Sequence, residues 1–96
     1  MKVYICGDKN DRKRFKQAER MIKEKGDIPI NPLRVIYVLP PEVNKADFTI
    51  VAYELIHISD AVYCLDGWQN DLTARMEMAY AKRNDKKILE RGKTSD

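Results

Sequence analysis

Three carboxylates in the C-terminal half of the chain, Asp60, Asp71 and Glu77, stand beside segments that end or open regular elements. Paired carboxylates near a sugar can work on its anomeric carbon: one protonates the leaving group, another attacks or stabilises the carbon, with no metal and no activated serine. Each also has a plain structural reading. Asp60 follows a helical pattern, Asp71 precedes one, and a glutamate at exposed helical spacing is ordinarily solvated. Trp68, between Gly67 and Gln69, is either a lid on the hydrophobic core or a flat platform on which a base or sugar stacks.

Other chemistries find less support. Glycine occurs only at positions 7, 26, 67 and 92, so neither a GxGxxG turn nor a GxxxxGK[ST] loop is present. Cys6 and Cys64 lack CxxC spacing and read as small apolar residues on buried strands. No metal and no other cofactor is expected. His57, the sole histidine, lies next to the apolar face of its helix and reads as a partly buried structural residue. Residues 9–25 carry eight basic and three acidic side chains. Acids interrupt this run and no recognition motif accompanies it, so it reads as a solvated helix face rather than a nucleic-acid surface.

The elements that must position these groups alternate along the chain. Lys2–Cys6 is rich in β-branched and aromatic residues and ends at Gly7, the pattern of a buried strand. Asp8 to Asp11 supply turn and cap residues, and Phe15, Ala18, Met21 and Ile22 recur at helical spacing before a stop at Gly26. Residues 28–31 form a short strand whose Pro29 lacks a ladder donor, which places it at a sheet edge. Pro32 to Ala46 reads as a long loop with room for a short strand. Phe48, Val51, Ala52, Leu55 and Ile56 mark a helix from about Asp47 to Ile58. Ala61–Leu65 is a second buried strand. Asn70 or Asp71 then caps a helix carrying Leu72, Met76, Ala79 and Tyr80 on one face, and Lys87–Glu90 is a last strand.

This alternation predicts an α/β fold: a small Rossmann- or flavodoxin-like three-layer domain, with a mostly parallel sheet of about four strands flanked by helices. Ligands of such sheets bind beyond the carboxyl ends of the strands, which selects Gly7–Asp11, Asn31–Arg34 and Asp66–Asp71. With 96 residues, 44% of them hydrophobic, the chain has material for one core, and a single domain over 1–96 with an ordered core of about 2–90 is expected. Eighteen basic against fifteen acidic side chains leave a net charge of +3, concentrated in the 9–25 segment. No membrane span or signal-peptide core is legible, so the cytoplasm is the expected compartment.

The Val3–Gly7 opening, Asn31-Pro32 after a glycine-ended helix, and Ser59–Tyr63 leading to Asp71–Ala81 together resemble the nucleoside 2-deoxyribosyltransferase-like superfamily. The likeness is to its small phage- and prophage-associated members, whose Gly-Trp and Ala-Arg-x-Glu match Gly67-Trp68 and Ala74-Arg75-Met76-Glu77, and it spans roughly residues 2–90. The resemblance implies Glu77 as the nucleophile at C1′, Asp60 and Asp71 near the base or a sugar hydroxyl, and Tyr4 orienting the nucleophile. Together with the strand-end rule it points to ligand contacts at Gly7, Asp8, Asn31, Pro32, Gly67 and Trp68, while Arg75 offers a bidentate fork to a phosphate. It also implies a nucleoside or nucleotide ligand and a homodimer or higher homo-oligomer, with Leu33–Leu39 as interface or lid. Leu72 and Thr73 depart from the glycine and small polar residue usual in active members, and a leucine there either crowds the sugar or turns into the core. Two functions follow: an enzyme cleaving or transferring a (deoxy)ribosyl group, or a non-catalytic protein that sequesters a nucleotide-derived signal. A weaker third is an interaction protein whose basic helix docks an acidic partner.

Overall fold

The structure, a computed structural model, describes residues 1–90. Four parallel strands, β1 (Lys2–Cys6), β2 (Ile28–Ile30), β3 (Ala61–Cys64) and β4 (Lys87–Glu90), form one sheet in the order β2-β1-β3-β4. Helices α1 (Arg12–Glu24), α2 (Pro32–Ile36), α3 (Lys45–His57) and α4 (Leu72–Arg83) connect them. Pro29 stands in β2, an edge strand, where its missing N–H breaks no central ladder. No helix among the described residues is long and apolar enough to cross a membrane.

Side-chain alternation on β1 and β3 builds a core on each side of the sheet. Val3, Ile5, Ala61, Tyr63 and Leu65 pack with Phe15, Ala18 and Ile22 of α1 and with Leu33. Tyr4, Cys6, Val62 and Cys64 face the other way, against Ile56 of α3 and Ala74, Met78 and Ala81 of α4. Both cysteines are free and buried on strands, and burial pushes the Cys64 thiol up to about 12.

The segment expected as a loop from Pro32 to Ala46 opens instead with α2. Asn31 caps it by accepting from the Leu33 N–H at 3.0 Å, Pro32 takes a first-turn position that needs no donor, and buried Leu33 anchors it. α3 starts at Lys45, two residues earlier than the expected Asp47, capped by Asn44, which accepts from the Asp47 N–H. His57 ends that helix exposed rather than partly buried, its carbonyl accepting from the Lys86 ammonium.

The larger difference lies on α4. Most of the face expected to pack inward is turned outward: Leu72 is 63% and Met76 42% exposed and Ala79 is also exposed, while Tyr80 packs against the core as expected. Ala74, Glu77, Met78 and Ala81 face the sheet instead. Small alanines allow close approach to β1 and β3, and the glutamate occupies a position that helical spacing reserves for an apolar residue.

Gly7 ends β1 where the chain passes closest to Leu65; a Cβ there would lie 2.8–2.9 Å from the leucine side chain. Gly7→Ala is expected to cost about 1–3 kcal/mol by overpacking, read as a lower urea midpoint. Adding Leu65→Ala should give a combined loss smaller than the sum of the two single losses.

Candidate active site

In the strand order, β1 steps to β2 on one side and β3 steps to β4 on the other, so the chain reverses direction across the sheet between β1 and β3. A crevice opens beyond the carboxyl ends of strands at such a point. Here it is a cavity of about 620 Å³. Asp8, Lys9 and Asn10 line it from the β1–α1 connection, Arg12 from the start of α1, and Leu33, Ile36 and Tyr37 from α2 and its end. Leu39, Pro40, Val43, Asn44, Phe48 and Thr49 form the far wall, while Asp71 and Thr73 close it at the start of α4.

Glu77 lies beneath this cavity, fully buried. The Tyr4 hydroxyl of β1 donates to Oε1 at 2.9 Å, and the Lys9 ammonium donates to Oε2 at 2.5 Å in an ion pair. Lys9 also stands 5.8 Å from the centroid of the Phe48 ring. Burial raises the Glu77 carboxyl above its ordinary range, and the Lys9 charge and the two hydrogen bonds pull it back down. The Tyr4 hydroxyl and the Cys6 thiol are raised as well, by burial first and then by the neighbouring Glu77 carboxylate. Tyr4 and Cys6 therefore hold their protons, which leaves Glu77 as the acidic group of this cluster. The Cys6 thiol also donates to the Ala74 carbonyl at 3.4 Å.

Tyr4, Asp8, Asp71 and Glu77 come together here. Asp71 accepts from the Ala74 N–H at 2.8 Å, which caps α4 and fixes the carboxyl at the cavity wall. Asp8 accepts from the Asn10 N–H and holds the β1–α1 turn. Gly7 is buried at the root of that turn. Thr73 reaches the cavity, whereas Leu72 neither crowds it nor enters the core.

The other expected residues lie elsewhere. Asp60 precedes β3 at the amino-terminal edge of the sheet, where it accepts from the Lys2 N–H at 2.8 Å. A strand length of roughly 13 Å, at about 3.3 Å per residue, separates it from the site. Its acidity signalled chemistry, but it ties the starts of β1 and β3 together. Asn31 and Pro32 are consumed by the start of α2, and Asn31 together with the Arg34 fork engages Glu19 of α1. Gly67, at φ 85°, admits the chain to a 3₁₀ turn over Trp68–Asn70. Trp68, half-buried, packs against the α4-side core and does not line the cavity, and its buried Nε1 has no hydrogen-bond partner among the described residues. Arg75 is exposed on α4 and does not line the cavity; Arg12 does.

Lys9 is the residue that sequence reasoning missed, because it was grouped with the basic run. Its signal was positional, since it directly follows Asp8 in the first strand-end segment. Among the described residues no group of three or more His, Cys, Asp or Glu side chains is placed to hold a metal ion. The arrangement supplies a buried carboxylate, a hydroxyl and an ammonium that orient it, and a second carboxyl at the wall: the parts for nucleophilic attack with acid assistance.

A carboxyl raised on folding binds its proton more tightly in the folded chain. Its contribution to stability is complete below the unfolded value near 4.5 and is lost as pH rises through the folded value. Urea unfolding across that range should show wild type losing stability relative to Glu77→Gln as pH increases. A difference that does not change with pH would contradict the burial of this charge.

The comparisons with known proteins agree with this geometry at the level of fold. No curated protein is similar to the chain in sequence. Among solved structures, the CMP N-glycosidase BcmB of Clostridium botulinum superposes with a TM-score of 0.67 at 18% identity, over 100% of this chain and 75% of that one. At that identity the likeness is one of fold. A family profile described as a domain of unknown function, DUF4406, matches residues 1–90, and the chain belongs to that family.

Proposed function

We propose that the chain binds a nucleoside or nucleotide in the cavity beyond β1 and β3 and cleaves or transfers its N-glycosidic bond, with Glu77 as the nucleophile. The observation that carries this is the carboxylate of Glu77, held by Tyr4 and Lys9 beneath a cavity whose wall carries Asp71. The cavity volume falls in the range of small-molecule sites, and its apolar side offers Leu33, Tyr37 and Phe48 to a base. The fold shared with an N-glycosidase supports the same reading.

In this mechanism a Glu77 oxygen forms a bond to C1′ as the C1′–N bond breaks, and the bonding pair leaves with the base nitrogen. The Asp71 carboxyl or a water supplies the proton that nitrogen takes up. A water or the nitrogen of a second base then displaces Glu77 from C1′, so the sugar keeps its configuration. The carbon passes through an oxocarbenium-like state, which the buried negative charge stabilises.

The ammonium lying on Glu77 favours a second reading, in which the cavity holds a nucleotide-derived signal without cutting it. Base release from a panel of nucleosides, 2′-deoxynucleosides and their 5′-monophosphates separates the two. The enzyme reading expects release that falls at least about a thousandfold in Glu77→Gln. The sequestering reading expects stoichiometric binding and recovery of the ligand intact after denaturation.

Self-association belongs to the same reading. In the Leu33–Leu39 segment Leu33 is core and Leu39 lines the cavity, but Val38, 78% exposed, and Tyr37 leave apolar surface in water, as do Leu72 and Met76 on α4 and Ile50 on α3. Sedimentation should show a homo-oligomer that Leu72→Glu or Met76→Glu dissociates. A wild-type monomer at micromolar concentration would refute it.

A further inference from the structure

Glu77 does not reach the cavity; Lys9 does. The lysine side chain is 17% exposed, lines the cavity wall and bonds the carboxylate from above, so a sugar carbon entering the cavity meets an ammonium before it meets a nucleophile. We propose that Lys9 is an exchangeable plug, drawn off Glu77 by an anionic group on the ligand, a phosphate borne by the sugar, and that this exchange uncovers the carboxylate for C1′. The inference rests on the reading of Glu77 as the nucleophile and adds to it a role for Lys9 and a charge requirement on the substrate.

The argument is one of charge balance. Removing one partner from a buried ion pair leaves an uncompensated charge, which is strongly unfavourable. A neutral nucleoside offers the carboxylate the charge developing at C1′ but offers the ammonium nothing. A sugar phosphate undergoing glycosidic cleavage offers something to both: its phosphate, doubly or nearly doubly negative at neutral pH, takes the ammonium, and the cationic character developing at C1′ takes the carboxylate. Tyr4 stays on Oε1 throughout and keeps the carboxylate oriented. Lysine suits this task. It is a point charge on a flexible four-carbon stem, unlike the Arg34 fork, which grips Glu19 through two bonds of 2.6 Å each. Arg12 brings a second cation to the same wall, its guanidinium carbon 4.8 Å from the Tyr37 ring centroid, and Asn10 adds an amide.

Ribose 5-phosphate, which carries the sugar and the anion but no base to lose, tests the exchange without requiring turnover. Calorimetric titration is made on wild type, Glu77→Gln, Lys9→Met and the double variant, which leaves no lone buried charge even if Lys9→Met alone folds poorly. Because Glu77 competes with the phosphate for Lys9, Glu77→Gln should bind ribose 5-phosphate roughly tenfold tighter than wild type, and the double variant no tighter than Lys9→Met. Tightening that persists without Lys9 would mean a general field effect and would overturn the plug, as would no binding by either wild type or Glu77→Gln. With substrates, wild type should favour a nucleoside 5′-monophosphate over its nucleoside by roughly tenfold to a hundredfold in kcat/KM. Glu77-dependent release that is equally fast from both would overturn the plug and leave the glycosidic reading standing. No release from any substrate, with the titration cycle as expected, would retain the plug in a binding protein and reject the glycosidic reading.

Discussion

A carboxylate taken out of water needs partners, and the rest of the site follows from how Glu77 obtains two. α4 presents it on the stripe that faces the sheet, between Ala74 and Ala81, where a helix of this length ordinarily places aliphatic side chains. Tyr4 must then occupy β1 directly opposite, and the turn after β1 must bring a cation back over the top, which Lys9 does. The strand order adds the last element, since a cavity opens where connections diverge between β1 and β3. None of these pieces is unusual alone. Their conjunction puts a polar, charge-balanced cluster against the otherwise apolar packing of β1 and β3 on α4.

Much of the fold was legible in the sequence because its signals are local. Phe15, Ala18 and Ile22 announce a helix by spacing, β1 and β3 announce buried strands by composition, and Pro29 correctly marks an edge. The short helix α2 was read as loop although its signature was present in Asn31-Pro32, a cap followed by a proline at the first turn. Five residues are too few for periodicity to outweigh the prolines that follow. The inward face of α4 was misjudged for a physical reason: hydrophobicity favoured Leu72 and Met76, but the space against β1 and β3 admits alanines, and Glu77 is recompensed there by partners distant in sequence.

The candidate site was legible in part on the same principle. Asp8 and Asp71 stand where a strand end and a helix start meet, so topology alone brings them together, whereas Tyr4 in mid-strand and Glu77 in the second turn of α4 were pointed to by the family resemblance. Asp60 illustrates the converse: it directly precedes β3, so a parallel sheet puts it at the amino-terminal edge, away from the strand ends that open the cavity, and only its acidity and the family resemblance pointed to it. Lys9 was hidden by its neighbours, since a lysine among eight basic residues looks like solvated surface until the ion pair across 68 positions is seen.

The alternation of β1 separates two kinds of selection within five residues. Val3 and Ile5 serve one core, while Tyr4, on the opposite face, holds the carboxylate. Random substitution along this strand therefore meets a comb: the odd teeth are filtered by packing against α1, and the tooth at Tyr4 by packing against α4 together with the carboxylate its hydroxyl must hold. A lineage that loses or moves that carboxylate can rework position 4 and the turn behind it while the packing against α1 is left as inherited.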